Sequence, residues 1–489
     1  MGARATPLST RPPLRILGAC EPPQKRRHAE TMAKSESQAG EARAAGGTIA
    51  QILASDAKPA PAPLTTEAYA FLGDADLPAS RYTCPDFFRQ EMSAMWSRTW
   101  QWACREEHIP GVGDHYVYDI GPYSVIISRV AEAQIKAFIN SCTHRGTRLL
   151  GGEGPGFGQS FNCPFHGWSW HLDGALKDLP GRWDFPHVCE ATHSLQEAAC
   201  ESWQGFVFVN LDPNASPLSE QLDVLPEHFA HFPLKGRRIR LHVQKVLPAN
   251  WKAAQEAFME AYHNFTTHDS PTGANTQYDI FGPYVSRFIH NIGHYSPESL
   301  SDYPGEKWRE PPLTEQELLA GLPVTQRTLE EGETARAVGA QLLRDEMGAQ
   351  LNVDFSDVSD SEMLDSIEYH LFPNAFFFPG ALISMAYRFR PIGEDVDSCL
   401  FEILMLEPLP EGATHPDPPE PVRLSVAQSY TEIDELAWLG AVYDQDTGNL
   451  QLQQQGLKAT RKGITLGNYQ EARIRRFHLT LDEYLQAQT

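Results

Sequence analysis

CTHRG at residues 142–146 and CPFHGW at residues 163–168 are the two stretches that decide the fold of this chain. Each offers one thiolate and one imidazole, and the four side chains are Cys142, His144, Cys163 and His166. The small residues, glycine and proline beside them are typical of hairpin-tip loops. The two motifs therefore predict neighbouring loops that present two sulfurs and two imidazole nitrogens to one metal centre.

Two kinds of metal centre accept two cysteines and two histidines. A 2Fe-2S cluster is held by two thiolates on one iron and two imidazoles on the other. A tetrahedral zinc ion accepts the same four ligands. The turn-forming surroundings favour the cluster, and zinc remains the alternative.

Length and composition restrict the class of protein. The 489 residues suffice for two or three ordinary domains, and 41% apolar with 21% charged residues is typical of a soluble globular protein. No apolar run indicates a membrane span. The net charge of -23 disfavours nucleic acid as a partner, because phosphate binding requires a basic surface. The other six cysteines lack a disulfide-framework spacing, which predicts a reducing cytoplasm.

The N-terminal part of the sequence differs from the rest. Residues 1–63 are rich in alanine, proline and serine and lack hydrophobic periodicity, so we expect a disordered tail. Met32 is a plausible alternative start of translation. Residues 64–99 are expected to form a helical segment that packs on the larger domain. Its apolar residues at helical spacing are Phe87, Phe88, Met92, Met95 and Trp96.

The remaining sequence divides into two regions with β structure, so the predicted fold class is α+β. Residues 100–212 contain short strand-like runs separated by turn residues, which predicts a small antiparallel β domain carrying the metal loops. Residues 213–489 mix strand candidates with helices, and a strongly helical stretch is expected at 251–262. A polar insertion at 297–362 is expected either to cover a pocket entrance or to be a surface excursion.

A second pair of histidines lies in the larger region. His263 and His268 are five residues apart, which is a rotation of about 500° along a helix, so they do not share one face. A helix that ends or kinks between them brings them together. Two imidazoles and one carboxylate are the ligands of oxygen-binding non-haem Fe(II) sites. A distant carboxylate must then supply the third ligand. The alternative is a hydrogen-bonded histidine pair near a helix end.

These motifs together resemble one known family. CTHRG and CPFHGW are similar to the Rieske domain of ring-hydroxylating oxygenase α subunits, and NWKAAQEAFMEAYHNFTTH at 250–268 is similar to their catalytic iron motif. VYDQD at 442–446 resembles the segment that brings the carboxylate. Asp446, eight residues before Gln454, is preferred over Asp444. The resemblance implies a small antiparallel β Rieske domain and an antiparallel-sheet catalytic domain with helices, of the helix-grip or START-like type.

The resemblance also implies cofactors and roles for individual residues. One Rieske 2Fe-2S cluster would bind to the two loops, and one mononuclear Fe(II) would bind to His263, His268 and Asp446. Glu260, three residues before His263, would hydrogen bond that ligand and meet His166 of a neighbouring subunit on the route of the electron. The family more often has aspartate at the position of Glu260, which leaves the geometry of this bridge open.

The implied function is that of a terminal oxygenase component. It would use O2, and electrons from a separate ferredoxin and/or NAD(P)H-dependent reductase, to mono- or cis-dihydroxylate an apolar, aromatic or polycyclic small molecule, as in aromatic hydrocarbon catabolism. O- or N-demethylation is one alternative, and an electron-relay protein without an active mononuclear iron is another. The implied assembly is a homotrimer, or an α3β3 complex with a small subunit.

Further contacts are predicted from residue type. Ligand cavities are mainly apolar, so five residues are candidates for substrate contact, with ordinary core packing as the alternative: Phe258, Met259, Phe265, Phe372 and Phe376. Glu256 is expected either to line the iron cavity or to form a salt bridge within its helix. A basic run is expected either to attract an acidic electron donor or to be a solvated strand face, and it comprises Lys235, Arg237, Arg238 and Arg240.

Overall fold

The computed structural model describes residues 40–268, 275–296, 298, 313–410, 412–413 and 416–487. Two large sheets with almost exclusively antiparallel neighbours form its framework, and helices pack around them. The predicted α+β class is therefore confirmed. The domain boundaries after residues 99 and 212 remain predictions.

The N-terminal β region contains ten strands. These are β1 (Gln101–Arg105), β2 (Asp114–Ile120), β3 (Tyr123–Ala131), β4 (Gln134–Ile139), β5 (Gly154–Phe157), β6 (Phe161–Asn162), β7 (Ser169–Trp170), β8 (Leu176–Asp178), β9 (Glu197–Trp203) and β10 (Phe206–Asn210). Seven form one sheet in the order β1-β10-β9-β4-β3-β2-β5, and β6, β7 and β8 form a small second sheet. Side chains alternate along β3, so Val125 and Ile127 face the main core while Ile126 faces the core around the metal loops.

An eight-stranded sheet builds the larger region. Its strands are β11 (Arg237–Leu247), β12 (Gln277–Phe281), β13 (Val285–His290), β14 (Ser366–Leu371), β15 (Ala375–Phe377), β16 (Met385–Ile392), β17 (Asp395–Pro408) and β18 (Val422–Leu424). Their order is β12-β13-β14-β15-β16-β17-β11-β18, and β11 with β18 is the parallel pair. Residues 366–377 form the two antiparallel strands β14 and β15, because the chain reverses direction between Leu371 and Ala375.

Fifteen α-helices lie within the described residues. They are α1 (Ile49–Leu53), α2 (Ala62–Thr65), α3 (Ser80–Thr83), α4 (Pro85–Glu91), α5 (Glu190–His193), α6 (Leu218–Leu222), α7 (Leu225–His228), α8 (Trp251–Glu256), α9 (Asn264–Thr267), α10 (Glu315–Ala320), α11 (Ala335–Leu351), α12 (Asp360–Leu364), α13 (Trp438–Gly448), α14 (Leu450–Ala459) and α15 (Ala472–Gln486). In this part of the chain, no helix has the length and apolar character needed to cross a membrane.

The helix expected at 251–262 is shorter than predicted. Asn250 begins α8 by accepting a hydrogen bond from the Lys252 amide at 3.1 Å, and the helix ends at Glu256. Phe258 and Met259 follow the helix and are still buried in the main core. The apolar periodicity overshoots the helix because the turn after it is buried as well.

Residues 49–63, which the sequence assigns to a disordered tail, are folded. Asp56 forms an ion pair with Arg336 of α11, with Oδ1 and Nε 2.5 Å apart, and its side chain is completely buried. Three apolar residues of α1 are buried in the core beside β1 and β10, namely Ile49, Ile52 and Leu53. The tail prediction is wrong here, because these contacts offset the entropy of ordering the segment. Residues 1–39 lie outside the described residues.

The two sheets are joined by one continuous core. The rings of Trp96, just before β1, and Trp251 on α8 lie with their centroids 4.9 Å apart. Arg388 on β16 donates to the Ala103 carbonyl of β1 at 3.1 Å. The neighbouring Arg390 donates to the Asp119 carbonyl of β2 at 2.8 Å. These contacts fix the domain with the metal loops against the larger sheet.

Candidate metal centres and substrate cavity

The histidine pair converges where α8 has ended and α9 has not yet begun. His263 is the residue that precedes α9, and His268 is the residue that follows it. The break lies before His263, not between the two histidines as the sequence predicts. It brings their rings to a centroid distance of 5.0 Å, with the two Nε2 atoms 3.1 Å apart.

Asp446 on α13 completes a group of three potential ligands. Its Oδ1 lies 2.8 Å from His268 Nε2 and 3.3 Å from His263 Nε2. The three ligand atoms all lie within 4.8 Å of one another. Two imidazoles and one carboxylate are the donor set of non-haem Fe(II) sites, so these residues fit such an ion. Asp444, the alternative ligand, instead accepts hydrogen bonds from the Tyr430 amide at 3.0 Å and the Ser429 hydroxyl.

Each histidine is oriented by a different side chain. His263 Nδ1 lies 2.7 Å from Glu260 Oε1, and the second oxygen of Glu260 accepts from the His263 amide at 3.1 Å. His268 Nδ1 lies 2.8 Å from Gln445 Oε1. With Nδ1 donating to these acceptors, both Nε2 lone pairs are free for a metal. Sequence reasoning identified Glu260 but missed Gln445, although it adjoins Asp446 in the VYDQD segment.

The carboxylates beside His263 and His268 stabilise positive charge at both imidazoles. Burial disfavours protonated His263, but its interactions with Asp446 and Glu260 outweigh burial and raise its pKa to about 10. Burial opposes protonation of His268 too, and Asp446 again raises the pKa above its usual value. A divalent cation would replace these protons, because metal binding requires neutral imidazole.

The two loops at residues 142–168 have nearly the same geometry. In the first, the Gly146 amide donates to the Cys142 carbonyl at 2.9 Å, and in the second Gly167 donates to Cys163 at 3.1 Å. The two glycines have φ of +77° and +75°, a left-handed conformation that glycine adopts without strain. Each cysteine amide donates back across its loop, to Thr147 and Trp168, at 2.8 and 2.7 Å.

The four side chains of the loops meet as the motifs predict. Cys142 and Cys163 are each 3% exposed, and their side chains interact with each other. The rings of His144 and His166 lie with centroids 4.8 Å apart. His144 stacks on Trp168 at 4.9 Å and 6°, and its buried Nδ1 has no hydrogen-bond partner. Two sulfurs on one side and two imidazoles on the other fit a 2Fe-2S cluster.

A cavity of about 590 Å³ opens beside the histidines and Asp446. Its walls are mainly apolar, and they include Phe258, Phe288, Phe378, Leu382, Ile383 and Met385. Residues 321–323, which follow α10, line it too, so part of the predicted insertion contributes to the cavity wall. Of the five predicted substrate contacts only Phe258 lines the wall; the others do not, namely Met259, Phe265, Phe372 and Phe376.

Glu256 lies outside the cavity, in a buried network with residues of α3 and α15. Its carboxyl accepts from the Tyr82 hydroxyl at 2.9 Å and lies 2.8 Å from His478 Nε2. Burial raises the pKa of Glu256 to about 8 and holds the pKa of His478 well below its usual value. The pair is therefore neutral, with the proton on the carboxyl. Neither sequence alternative is correct, because the partners come from α3 and α15 rather than from α8.

Three of the four basic side chains in the run 235–240 form contacts with nearby residues of the same chain. Arg237 is buried, and its guanidinium donates to the Pro233 carbonyl at 3.0 Å. Arg238 and Arg240 both pair with Glu407 on the adjacent strand β17. These contacts support the strand-face alternative over a docking surface for an electron donor.

Comparison with known families defines the class of this protein. Residues 99–188 match the Rieske 2Fe-2S domain, so the chain is a Rieske-type iron-sulfur protein. Residues 233–487 match the catalytic domain of the ring hydroxylating alpha subunit, and the chain belongs to that family. The predicted family is thus confirmed, as are its cofactors: one Rieske 2Fe-2S cluster and one mononuclear non-haem iron.

Relatives with known substrates fall into two chemical groups. The carnitine monooxygenase oxygenase subunit of Escherichia coli K12 is 28% identical over 194 residues, which are 39% of this chain and 52% of that protein. The benzene 1,2-dioxygenase subunit alpha of Pseudomonas putida is 31% identical over 192 residues, 38% of this chain and 42% of that protein. The chain spans about half the length of the curated relatives it matches.

Solved structures share the fold over most of the chain. The quaternary ammonium Rieske monooxygenase CntA in complex with L-carnitine has a TM-score of 0.58 at 18% identity, covering 86% of this chain and 100% of that one. Naphthalene 1,2-dioxygenase from Rhodococcus sp. bound to indole has a TM-score of 0.57 at 18% identity, covering 85% and 95%. Identities this low show the fold and leave the substrate undetermined.

Proposed function

We propose that this chain is a terminal oxygenase that hydroxylates an apolar small molecule with O2 and electrons from a separate donor protein. The observation that carries the proposal is the position of His263, His268 and Asp446 in the wall of a mainly apolar cavity. Three protein ligands leave positions on the metal open for O2 and substrate. Aromatic wall residues favour an aromatic or polycyclic substrate.

The side chains divide the work of the site between them. Iron bound here supplies the activation of O2, and the cluster supplies electrons one at a time. Glu260 and Gln445 hold the Nδ1 protons of His263 and His268, so that both Nε2 atoms face the same point. The apolar walls exclude water from the reacting atoms.

A second copy of the chain is proposed to bring the cluster to the iron. His166 is half-buried beside Phe165, which is 60% exposed, and Trp183 on the turn after the loops is 85% exposed. These two exposed aromatic side chains beside the cluster loops support an interaction surface there. In a ring of three subunits, His166 would face Glu260 of the next copy. A ferredoxin or reductase, and a small β subunit, are further proposed partners.

The remaining alternatives use the same site and are separated by experiment. Demethylation gives an aldehyde and a demethylated product, whereas hydroxylation of an arene gives neither. A pure electron-relay protein consumes no O2. A cytoplasmic location belongs to the proposal as well, and it is supported by the lack of disulfide bonds among the seven described cysteines.

Asp446→Ala tests the proposed function, with Asp444→Asn as the matched control on the same helix. We expect about three irons per chain in the natural protein, and Asp446→Ala to lose about one of them while keeping the visible absorption of the cluster. O2 consumption with a reductase and either naphthalene or 2-naphthol, whichever the natural protein oxidises faster, should stop in Asp446→Ala and persist in Asp444→Asn. Undiminished O2 consumption by Asp446→Ala would overturn the proposal.

A further inference from the structure

One part of the cavity wall is charged although most of it is apolar. On β14, Ser366 and Glu368 line the cavity, whereas Ile367 and Tyr369 between and beyond them lie in the core on the other side of the sheet. Glu368 is 1% exposed. A carboxylate buried this deeply costs several kcal/mol unless its charge is compensated. Its presence at a ligand-binding wall therefore requires an explanation from its partners.

The partners of Glu368 are Tyr387 and Arg473. The Tyr387 hydroxyl, on β16, donates its proton to Glu368 Oε2. Glu368 Oε1 lies 2.8 Å from Arg473 Nη2 on α15. Both oxygens of Glu368 are therefore engaged within the protein, Oε2 by the Tyr387 hydroxyl and Oε1 by the Arg473 guanidinium. Arg473 also donates to the Met259 carbonyl at 3.1 Å, which anchors it.

The Tyr387 oxygen presents one acceptor to the cavity, and the three side chains together have no net charge. Tyr387 lines the cavity, and because its proton is held by Glu368, its oxygen has only lone pairs to offer a ligand. Arg473 balances the charge of Glu368, so a permanent cation gains little there. A neutral hydroxyl or N–H group would instead donate to the Tyr387 oxygen. A hydrocarbon would leave this oxygen without a donor, which costs affinity.

We propose that Tyr387 and Glu368 form a specificity site that selects apolar substrates carrying one hydroxyl or N–H group, such as phenols or arylamines. The inference rests on the proposed function, because it assigns the substrate class of the same cavity. It predicts discrimination against two kinds of molecule. Unsubstituted arenes have no hydrogen-bond donor, and quaternary ammonium compounds have no N–H group that could donate a hydrogen bond.

Binding of a matched ligand series to the iron-loaded protein tests this site without turnover. The probes are naphthalene, 2-naphthol and 2-methoxynaphthalene, with phenyltrimethylammonium as the cation. We expect 2-naphthol to bind about tenfold more tightly than its methyl ether and than naphthalene by calorimetry, because only it donates a hydrogen bond. The measurement is made near pH 8, since burial raises the pKa of Glu368 to about 7. Equal affinities, undetectable 2-naphthol binding, or tighter binding of the cation would overturn the proposal.

Glu368→Gln localises the effect, with Glu256→Gln as the matched control. The glutamine keeps the size of the side chain but removes the charge that strengthens the Tyr387 oxygen as an acceptor, so the preference for 2-naphthol should fall several-fold. Glu256 is also a buried carboxyl that accepts from a tyrosine hydroxyl, that of Tyr82 at 2.9 Å, but it lies outside the cavity, so Glu256→Gln should leave the preference unchanged. An unchanged preference in Glu368→Gln would contradict the assignment. If that variant does not fold, the ligand series on the natural protein still decides.

The two proposals fail in different ways. Failure of the oxygenase proposal appears as O2 consumption that does not depend on Asp446, whatever the cavity binds. Failure of the specificity site appears as a flat ligand series in a protein whose O2 consumption still depends on Asp446.

Discussion

The two metal centres of this chain are built on opposite principles. The proposed cluster ligands all lie in one short segment, Cys142 to His166, which repeats the same turn twice. The proposed ligands of the mononuclear iron are His263 and His268, on either side of the short helix α9, and Asp446 on the distant helix α13. The first centre depends on local turn geometry, and the second depends on the packing of distant elements. Substitutions should therefore affect them separately.

The largest expected effect is the loss of the cluster in Cys163→Ala. Removing one thiolate should abolish the visible absorption of the cluster and about two of the three irons per chain, leaving the mononuclear iron in place. Absorption spectra and iron analysis measure both. Cys189→Ala, at an exposed cysteine outside the loops, is the control and should keep both signals. Simultaneous loss of all iron would show that the two centres are not independent.

A smaller effect is expected where the side chains that orient the iron ligands are removed. Glu260→Ala should weaken iron binding by about 10- to 100-fold, because His263 loses the acceptor that fixes its ring. Gln445→Leu should weaken it less, since a neutral amide contributes no charge to His268. Competition with a chelator gives both affinities, and the cluster absorption should not change. Gln453→Leu, exposed on α14, is the control, and equal losses in Gln445→Leu and Gln453→Leu would rule out this role.

A third prediction concerns the pH dependence of the free energy of unfolding, which should reflect the buried pair of Glu256 and His478. Burial raises the pKa of Glu256 to about 8, above its usual value of 4.5, so folded protein keeps a proton that unfolded chain releases. Its contribution to the free energy of unfolding is therefore complete at low pH and is lost as pH rises toward 8. His478 is neutral when folded and acts in the opposite sense, below pH 6.5.

Glu256→Gln isolates this effect. Between about pH 6.5 and 8, the urea midpoint of the natural protein should decrease with pH, and the midpoint of the variant should decrease less. Urea titrations at three pH values in this range suffice. Parallel pH dependence in the two proteins would show that Glu256 is ionised in the folded state.

The smallest expected effect lies in the cluster loops themselves. Gly146 has φ of +77°, so Gly146→Ala should cost about 1 kcal/mol through backbone strain alone, since no atom crowds the new methyl group. Gly151 lies in the same region without a positive φ and with open space around it. Thermal loss of the cluster absorption should shift down by a few degrees in Gly146→Ala and not in Gly151→Ala. Equal shifts would remove turn geometry as the cause.

The same contrast explains what the sequence could predict. The cluster loops could be predicted from the sequence, because the residue types, their spacing and the turn-forming residues are all found in one short segment. The carboxylate of the proposed iron site was harder to predict, because Asp444 and Asp446 lie only two residues apart on α13. In the structure Asp444 accepts a hydrogen bond from the Tyr430 amide, a contact that no local sequence pattern indicates. The sequence did not predict Glu368 as part of the cavity wall, because its only distinguishing feature is a charge in a largely buried strand.

Errors in helix prediction have a common physical cause. The predicted helix at 251–262 was too long because Phe258 and Met259 are buried without being helical. The predicted tail was too long because α1 is only five residues and its burial depends on β1 and β10. In both places burial comes from tertiary contacts, which periodicity in a single sequence does not report.

The ion pair between Asp56 and Arg336 has a practical consequence for handling this protein. A shortened protein that starts at residue 64 lacks Asp56, and Arg336 then loses one of its two ion pairs and keeps the pair with Asp365, at 2.6 Å, and its hydrogen bond to the Ile292 carbonyl, at 2.9 Å. Helix α11, which carries Arg336, shares a core with Leu322 in the cavity wall. Trimming the chain for expression or crystallisation would thus alter the substrate cavity from a distance, so shortened versions should begin before residue 40.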